Sequence, residues 1–335
     1  YFPVDVPGLG DVAEIAVGFH NACARTTAGG VKCWGSGEEN VPGLYPNLPV
    51  DIDGLTSGVL AIDVTGEAFC AVTADNVYCW GNVIYGGGPG WRFTPAVVTG
   101  LPPNVKAINV GVENLCAITQ EDEVLCWGSN RAAGLGNDTF VPLHMCIERC
   151  APSAVIPPSS FPPTKVVGLN GPTQAIAAHH HHTCALSSAG TVQCWGLNIR
   201  GVLGIPPTLD VPYPSAVQNL EEPVVSLELG GWHTCAELAG GSYRCWGYNW
   251  YDQLGTGDDA THWSPRPLTV ITDSIKSLAA GSYHNCAVTA AGAVQCWGDN
   301  YFGQLGNDTF QESLLTPVTA TGLESGVKQV VVGLV

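Results

Sequence analysis

The sequence is poor in positive charge. Its 335 residues carry twelve Lys and Arg against twenty-nine Asp and Glu, a formal net charge of −17. So few cations cannot neutralise many phosphates, which excludes a nucleic-acid binder. No apolar run reaches the ~18–20 residues that cross a bilayer as a helix, so no membrane span is expected. There is a single Met, and charged residues make up only 12% of the chain. The 45% share of hydrophobic residues still excludes a disordered acidic tail. Gly-x-Ser-x-Gly elbows, His-Glu-x-x-His helices and phosphate-cradling glycine loops are absent, so no catalytic residue and no cofactor is expected. The chain opens at Tyr1, and no signal core precedes it, the pattern expected of a processed form or a fragment.

What is abundant is glycine (42), proline (24), tryptophan (10) and cysteine (14). With scattered Val, Ile and Thr, the first two point to an all-β, turn-rich protein. Six cysteine pairs stand nine or ten positions apart: Cys23/Cys33, Cys70/Cys79, Cys116/Cys126, Cys184/Cys194, Cys235/Cys245 and Cys286/Cys296. Zinc knuckles use closer spacing. Turn residues occupy the middle of most of these intervals, as in Ala28-Gly29-Gly30 and Ala290-Ala291-Gly292. A strand, a tight turn and a returning strand would set the two sulfurs opposite each other. Cys146 and Cys150 form a seventh pair inside an insertion. Seven local disulfides imply an oxidising compartment, hence an extracellular or cell-surface location.

The cysteines mark a longer repeat. Each second cysteine of the six opens Cys-Trp-Gly, from Cys33-Trp34-Gly35 to Cys296-Trp297-Gly298, at intervals of roughly fifty residues. The clearest copy reads Gly281, His284, Cys286, Ala287, Gly292, Val294, Cys296, Trp297, Gly298, Asn300, Gly303, Gln304, Leu305, Gly306. This pattern resembles the regulator of chromosome condensation repeat, in its disulfide-bearing secreted branch. The resemblance implies a β-propeller of four-stranded antiparallel blades, usually seven. One propeller domain over 1–335 is expected, with repeats at about 1–48, 49–94, 95–164 (insertion 140–164), 165–214, 215–266 and 267–315. A partial seventh repeat covers 316–335, because Thr316-Pro317-Val318 aligns with Phe2-Pro3-Val4. Its missing strands would come from further chain, the favoured reading, or from another molecule, or the arc is open. After Gly35 and Gly81 the Gly-Gln-Leu-Gly turn is missing or remodelled.

The six motif tryptophans are expected between blades beside the disulfides. Trp91, Trp232, Trp250 and Trp263 lie outside the motif and are the surface candidates. His182, His233 and His284 sit two residues before a cysteine, and His20 three before, a repeat position suited to hydrogen bonds between blades. The run His179-His180-His181-His182 is a weak metal-site candidate, and no metal is expected to be held there. His144, Cys146 and Cys150 have ligand-like spacing, but a small disulfide loop fits them better. Paired acids such as Glu38-Glu39, Glu121-Asp122-Glu123, Glu221-Glu222 and Asp258-Asp259 fall at turns and read as solvated loops. Sequons at Asn137 and Asn307 are expected glycosylation sites, and Ser159 and Ser160 lie in a Ser/Pro-rich stretch suited to O-linked sugar.

Nuclear members of the family that the repeat resembles exchange nucleotide on a small GTPase and bind chromatin. The acidity and the disulfides argue against that role. A non-enzymatic extracellular structural or adhesive module is expected instead, part of a larger surface, matrix or filament protein. Its partners would be other copies of itself, other extracellular proteins and glycans. The alternative is a soluble secreted binding protein, a lectin or an enzyme inhibitor.

Overall fold

The structure is a computed structural model describing residues 3–35, 48–85, 88–130, 132–137, 161–310 and 312–333; for 83–85 and 88–91 it describes the backbone alone. Six four-stranded antiparallel sheets occupy 12–51, 59–97, 107–165, 173–216, 224–267 and 275–319, each with its strands paired in chain order. These are blades 1 to 6. In blade 6 the strands are Ile275–Ala280, His284–Thr289, Val294–Asp299 and Ser313–Thr319, innermost first. The first strands of successive blades touch one another, which arranges the sheets around an axis.

Local chemistry explains why each blade folds alike. The second and third strands close through a tight turn in which the Gly292 N–H donates to Thr289 O over 2.9 Å at φ +82°. A Cβ at Gly292 would stand 2.7 Å from the Gly326 nitrogen, so glycine is required both for conformation and for space. This turn places Cys286 directly opposite Cys296, and the same register holds for the other five pairs. All six cross-strand disulfides form. Closing loops this short stabilises by roughly 2–3 kcal/mol each in the chain-entropy account. Cys146 and Cys150 lie outside the described residues.

The tryptophans hold the blades to one another. Trp80 packs on Cys23 and Cys33, Trp127 on Cys70 and Cys79, and Trp195 on Cys116 and Cys126. Trp246 packs on Cys184 and Cys194, and Trp297 on Cys235 and Cys245. Each indole is thus buried against the disulfide of the blade before it, while Trp34 of blade 1 stays half-exposed.

The asparagine after Cys-Trp-Gly organises the next turn. Asn130, Asn198, Asn249 and Asn300 accept, at their Oδ1, the N–H of Leu135, Leu203, Leu254 and Leu305, over 2.8–3.2 Å. Those leucines are fully buried. The residue before each of the first three leucines then offers its carbonyl to the following blade: Trp195 Nε1 donates to Gly134 O, Trp246 Nε1 to Val202 O and Trp297 Nε1 to Gln253 O, at 2.9–3.1 Å. Blade 2 lacks this turn. Its third and fourth strands, Val77–Tyr85 and Gly88–Val97, run on into one long hairpin. Trp127 Nε1 accordingly finds no acceptor among the described residues.

Two sequence expectations are corrected. The insertion was expected to run to residue 164, yet Phe161–Lys165 is the fourth strand of blade 3. Pro162 and Pro163 are tolerated because an outermost strand needs ladder donors on one side only. His20 does not share the repeat position of His182: it is exposed, and Asn21 takes the slot, donating to Gly66 O across the junction to blade 2.

Segment 327–333 repeats the contacts of an inner strand. Val327 N–H donates to Gly292 O over 3.0 Å, as Val224 N–H does to Gly190 O over 2.9 Å. Gly333 O approaches Gly281 as Gly281 O approaches Gly230. The segment therefore stands where a further blade would begin, as the alignment of 316–335 implies, and pairs with no strand among the described residues.

Candidate binding face

In an antiparallel meander alternate turns share one end, so the turns joining first to second and third to fourth strands all open on one face of the ring. Blades 2 and 3 put carboxylates there. Glu67 accepts from Asn82 Nδ2 over 3.3 Å, and Glu113 from the Ser129 hydroxyl over 3.1 Å. Blades 4 to 6 put aromatic rings there instead.

The rings form a continuous belt. The imidazoles of His180 and His181 lie 6.3 and 6.0 Å from the Trp232 ring. Trp232 is hydrogen-bonded to the Tyr283 hydroxyl. Tyr283 contacts Tyr251 at 5.1 Å and Tyr248 at 6.3 Å, and the Arg200 guanidinium sits 5.2 Å over Tyr248. Beside the belt, Tyr301 and Phe302 pack edge to face at 5.0 Å and stay exposed, and Trp250 is 70% exposed. Between these side chains opens a pocket of about 500 Å³.

The histidines divide among roles. His182 Nε2 meets Thr234 Oγ1 at 3.2 Å, and His233 Nε2 donates to Asn285 Oδ1 over 3.1 Å, each bond tying one blade to the next. Burial holds these rings neutral, pushing His182 down to about 3 and His233 and His284 to about 4. Burial also lowers His180 to about 4 and drives His179 well below its ordinary range. Among the described residues no group of three His, Cys, Asp or Glu is arranged to hold a metal ion.

A second concavity lies on the axis, about 320 Å³, with Glu14, Asp63, Glu228 and His179 among its walls. Two of its carboxylates brace neighbouring blades: Glu14 accepts the Ile62 N–H over 3.2 Å and Asp63 the Val110 N–H over 2.7 Å. Asn109 does the same for Ala178. Burial pushes Asp63 up to about 6 against its backbone hydrogen bonds. Glu228 is pushed up to about 8 by burial and then by the charge of Asp63.

The two sequons differ. Asn137 is only 3% exposed. Asn307 is half-buried, with the Thr309 hydroxyl donating to its Oδ1 over 2.8 Å. Of the surface tryptophans, Trp232 and Trp250 reach the face, Trp263 is half-buried with its backbone against Gly201, and the side chain of Trp91 lies outside the description. Ser159, Ser160, His144 and the pair Glu38-Glu39 also lie outside the described residues. The sequence reading missed Arg200, Tyr248, Tyr251, Tyr283, Tyr301, Phe302 and the axial acids. A signal was present, since Trp232 and Tyr283 share one repeat slot, and Trp250 and Tyr301 another.

Four-stranded antiparallel blades around an axis, each offering two turns to one face, define a β-propeller. The sequence profile of the regulator of chromosome condensation (RCC1) repeat matches residues 189–236, 245–288 and 291–334, and a second profile of that repeat matches 275–304. The RCC1 domain-containing mitochondrial protein RUG3 of Arabidopsis thaliana is 34% identical over 145 residues, 41% of this chain and 33% of that protein. The chain thus spans about a third of the length of that relative. Prp20p of Saccharomyces cerevisiae superposes with a TM-score of 0.78 at 21% identity, covering 93% of this chain and 77% of that one. The ectodomain of the Physcomitrella patens receptor kinase CR4 superposes at 0.56 and 22% identity, over 97% and 69%. Residues 189–236, 245–288 and 291–334 thus match the RCC1 repeat, and the fold is a β-propeller with a disulfide in each described blade.

Proposed function

We propose that the chain is a non-enzymatic extracellular structural or adhesive module, part of a larger surface, matrix or filament protein, that engages a partner protein through the aromatic face of blades 4–6. The belt from His180 to Arg200 carries this reading. Exposed aromatic side chains supply contact area at small conformational cost, which suits binding rather than proton transfer. Six disulfides support an oxidising compartment. A receptor-kinase ectodomain with a similar fold is in keeping with that location.

Protein secreted from a eukaryotic host tests the reading. Intact mass after denaturation should show no free thiol, and glycopeptide mapping should find sugar on Asn307 and none on Asn137. Trp250→Ala should weaken capture of purified surface or matrix proteins at least fivefold without moving the melting temperature. Free thiols, or undiminished capture, would overturn it. The pocket beside Tyr283 favours a second reading, a soluble lectin or enzyme inhibitor; one saturable small ligand bound by the monomer would select it.

A further inference from the structure

The pocket on the face has an unusual lining. Tyr251, Tyr283, Tyr301 and Phe302 supply rings, Asp299 and Glu312 supply carboxylates, and among the described residues no lysine or arginine lines it. Its two imidazoles, His180 and His284, are neutral, each held down near 4 mainly by burial. The Tyr251 hydroxyl is pushed up by burial and then by the negative charges of Asp299 and Glu312, with Tyr248 adding to them, so both carboxylates act on the same ring. Asp299 is already engaged, accepting from the Tyr301 N–H over 3.0 Å and from Gln304 Nε2 over 2.8 Å. The exposed Glu312 carboxylate makes no hydrogen bond or ion pair among the described residues.

Aromatic faces carry negative charge density and attract a cation placed over them. This surface already does so once, holding Arg200 over Tyr248, whose ring neighbours Tyr283. A chain of net charge −17 adds a field of the same sign.

From this geometry we propose that the pocket between Tyr283 and Phe302 is a recognition site for a lysine side chain on an exposed segment of the partner protein, its ammonium seated among the rings and paired with Glu312. The proposal rests on the face being the protein-binding surface and names the chemistry that it selects.

The test uses the full chain and a blocked pentapeptide, acetyl-Gly-Gly-Lys-Gly-Gly-amide, with the Nε-acetyl-lysine peptide as its neutral twin, followed by chemical-shift perturbation. The lysine peptide should bind saturably and at least fivefold more tightly than its twin. Phe302→Ala and Glu312→Gln should each weaken it about fivefold, and raised salt should weaken it further. Equal binding of the twin, indifference to Glu312→Gln, or a neutral disaccharide occupying the pocket in its place would overturn the proposal. Trp250 lies outside the pocket, which separates two failures. If Trp250→Ala still impairs partner capture while the lysine peptide does not bind, the cation site is wrong and the binding face stands. If neither holds, both readings fall.

Discussion

Blades 1–3 and blades 4–6 are built from one repeat but are fastened by different atoms. Towards the amino end the junctions use side-chain acceptors near the axis, Glu14 on Ile62, Asp63 on Val110 and Asn109 on Ala178. The relay on the second strand starts at Asn114 with Thr183 and continues as His182 with Thr234 and His233 with Asn285. In blades 3 to 5 the turn carbonyl also receives the next indole. One turn accounts for the indole contacts. Where Asn-x₄-Leu is present, as at Asn249 and Leu254, the loop is fixed by its own asparagine and presents a carbonyl at a set place. That frees the residues beside it to be aromatic and exposed. In blade 2 the turn is replaced by a hairpin, and the face there carries Glu67 in place of rings.

The largest effect that tests this contrast is at the turn leucine. Leu254→Ala should cost about 3–4 kcal/mol, from lost burial plus a cavity against the Cys235–Cys245 blade, measured by urea unfolding. Its damage should spread to the face, shifting the resonances of Tyr251, whereas Val77→Ala in blade 2 should destabilise without that signature. A cost below about 1 kcal/mol would mean the turn does not hold the junction.

Next comes pH. Glu228 keeps its proton in the folded state up to about 8, while the unfolded chain releases it near 4.5. The folded state binds more protons across that interval, so this carboxyl makes stability fall as pH rises from about 5 to 8. The histidines act oppositely. The unfolded chain protonates them near 6.5, the folded chain only near 3 to 4, so stability falls as pH drops from 6.5 towards 4. Maximum stability is expected between about pH 6 and 7. Glu228→Gln should raise stability at pH 8 by roughly 2 kcal/mol, discounted because part of the side chain is open to the axial cavity, and leave pH 5 unchanged. An unchanged pH 8 to pH 5 difference in that variant would remove the axial carboxyl from the account.

The smallest effect is the sharpest comparison. Trp246→Phe deletes the donor to Val202 O, whereas Trp127→Phe deletes an Nε1 that has no acceptor among the described residues. The first should cost about 1 kcal/mol more than the second in parallel denaturant titrations. Equal costs would show that the turn carbonyl contributes little.

Much of the fold was legible because its causes are local. Cys286 and Cys296 meet because one tight turn closes ten residues, and Gly292 announces that turn. The tryptophan recurs beside the cysteine, so its place against the neighbouring disulfide follows from strand alternation and repetition. The face was less legible. Arg200, Trp232, Tyr248 and Tyr283 come from three blades, and no spacing along the chain reveals that their rings touch. That the Trp127 indole meets no acceptor among the described residues was hidden for the same reason: the other indoles take theirs from the blade before.

The sequence by itself determined the blade, its disulfide, its buried tryptophan and the number of repeats, since each depends on contacts within a repeat or between identical neighbours. The tertiary structure alone decided which side chains share the face, that Asn137 is buried while Asn307 is half-open, and that the charge of Asp63 acts on Glu228 at the axis. Those outcomes depend on distances between residues far apart in the chain, and such distances are set only when the blades close around a common axis.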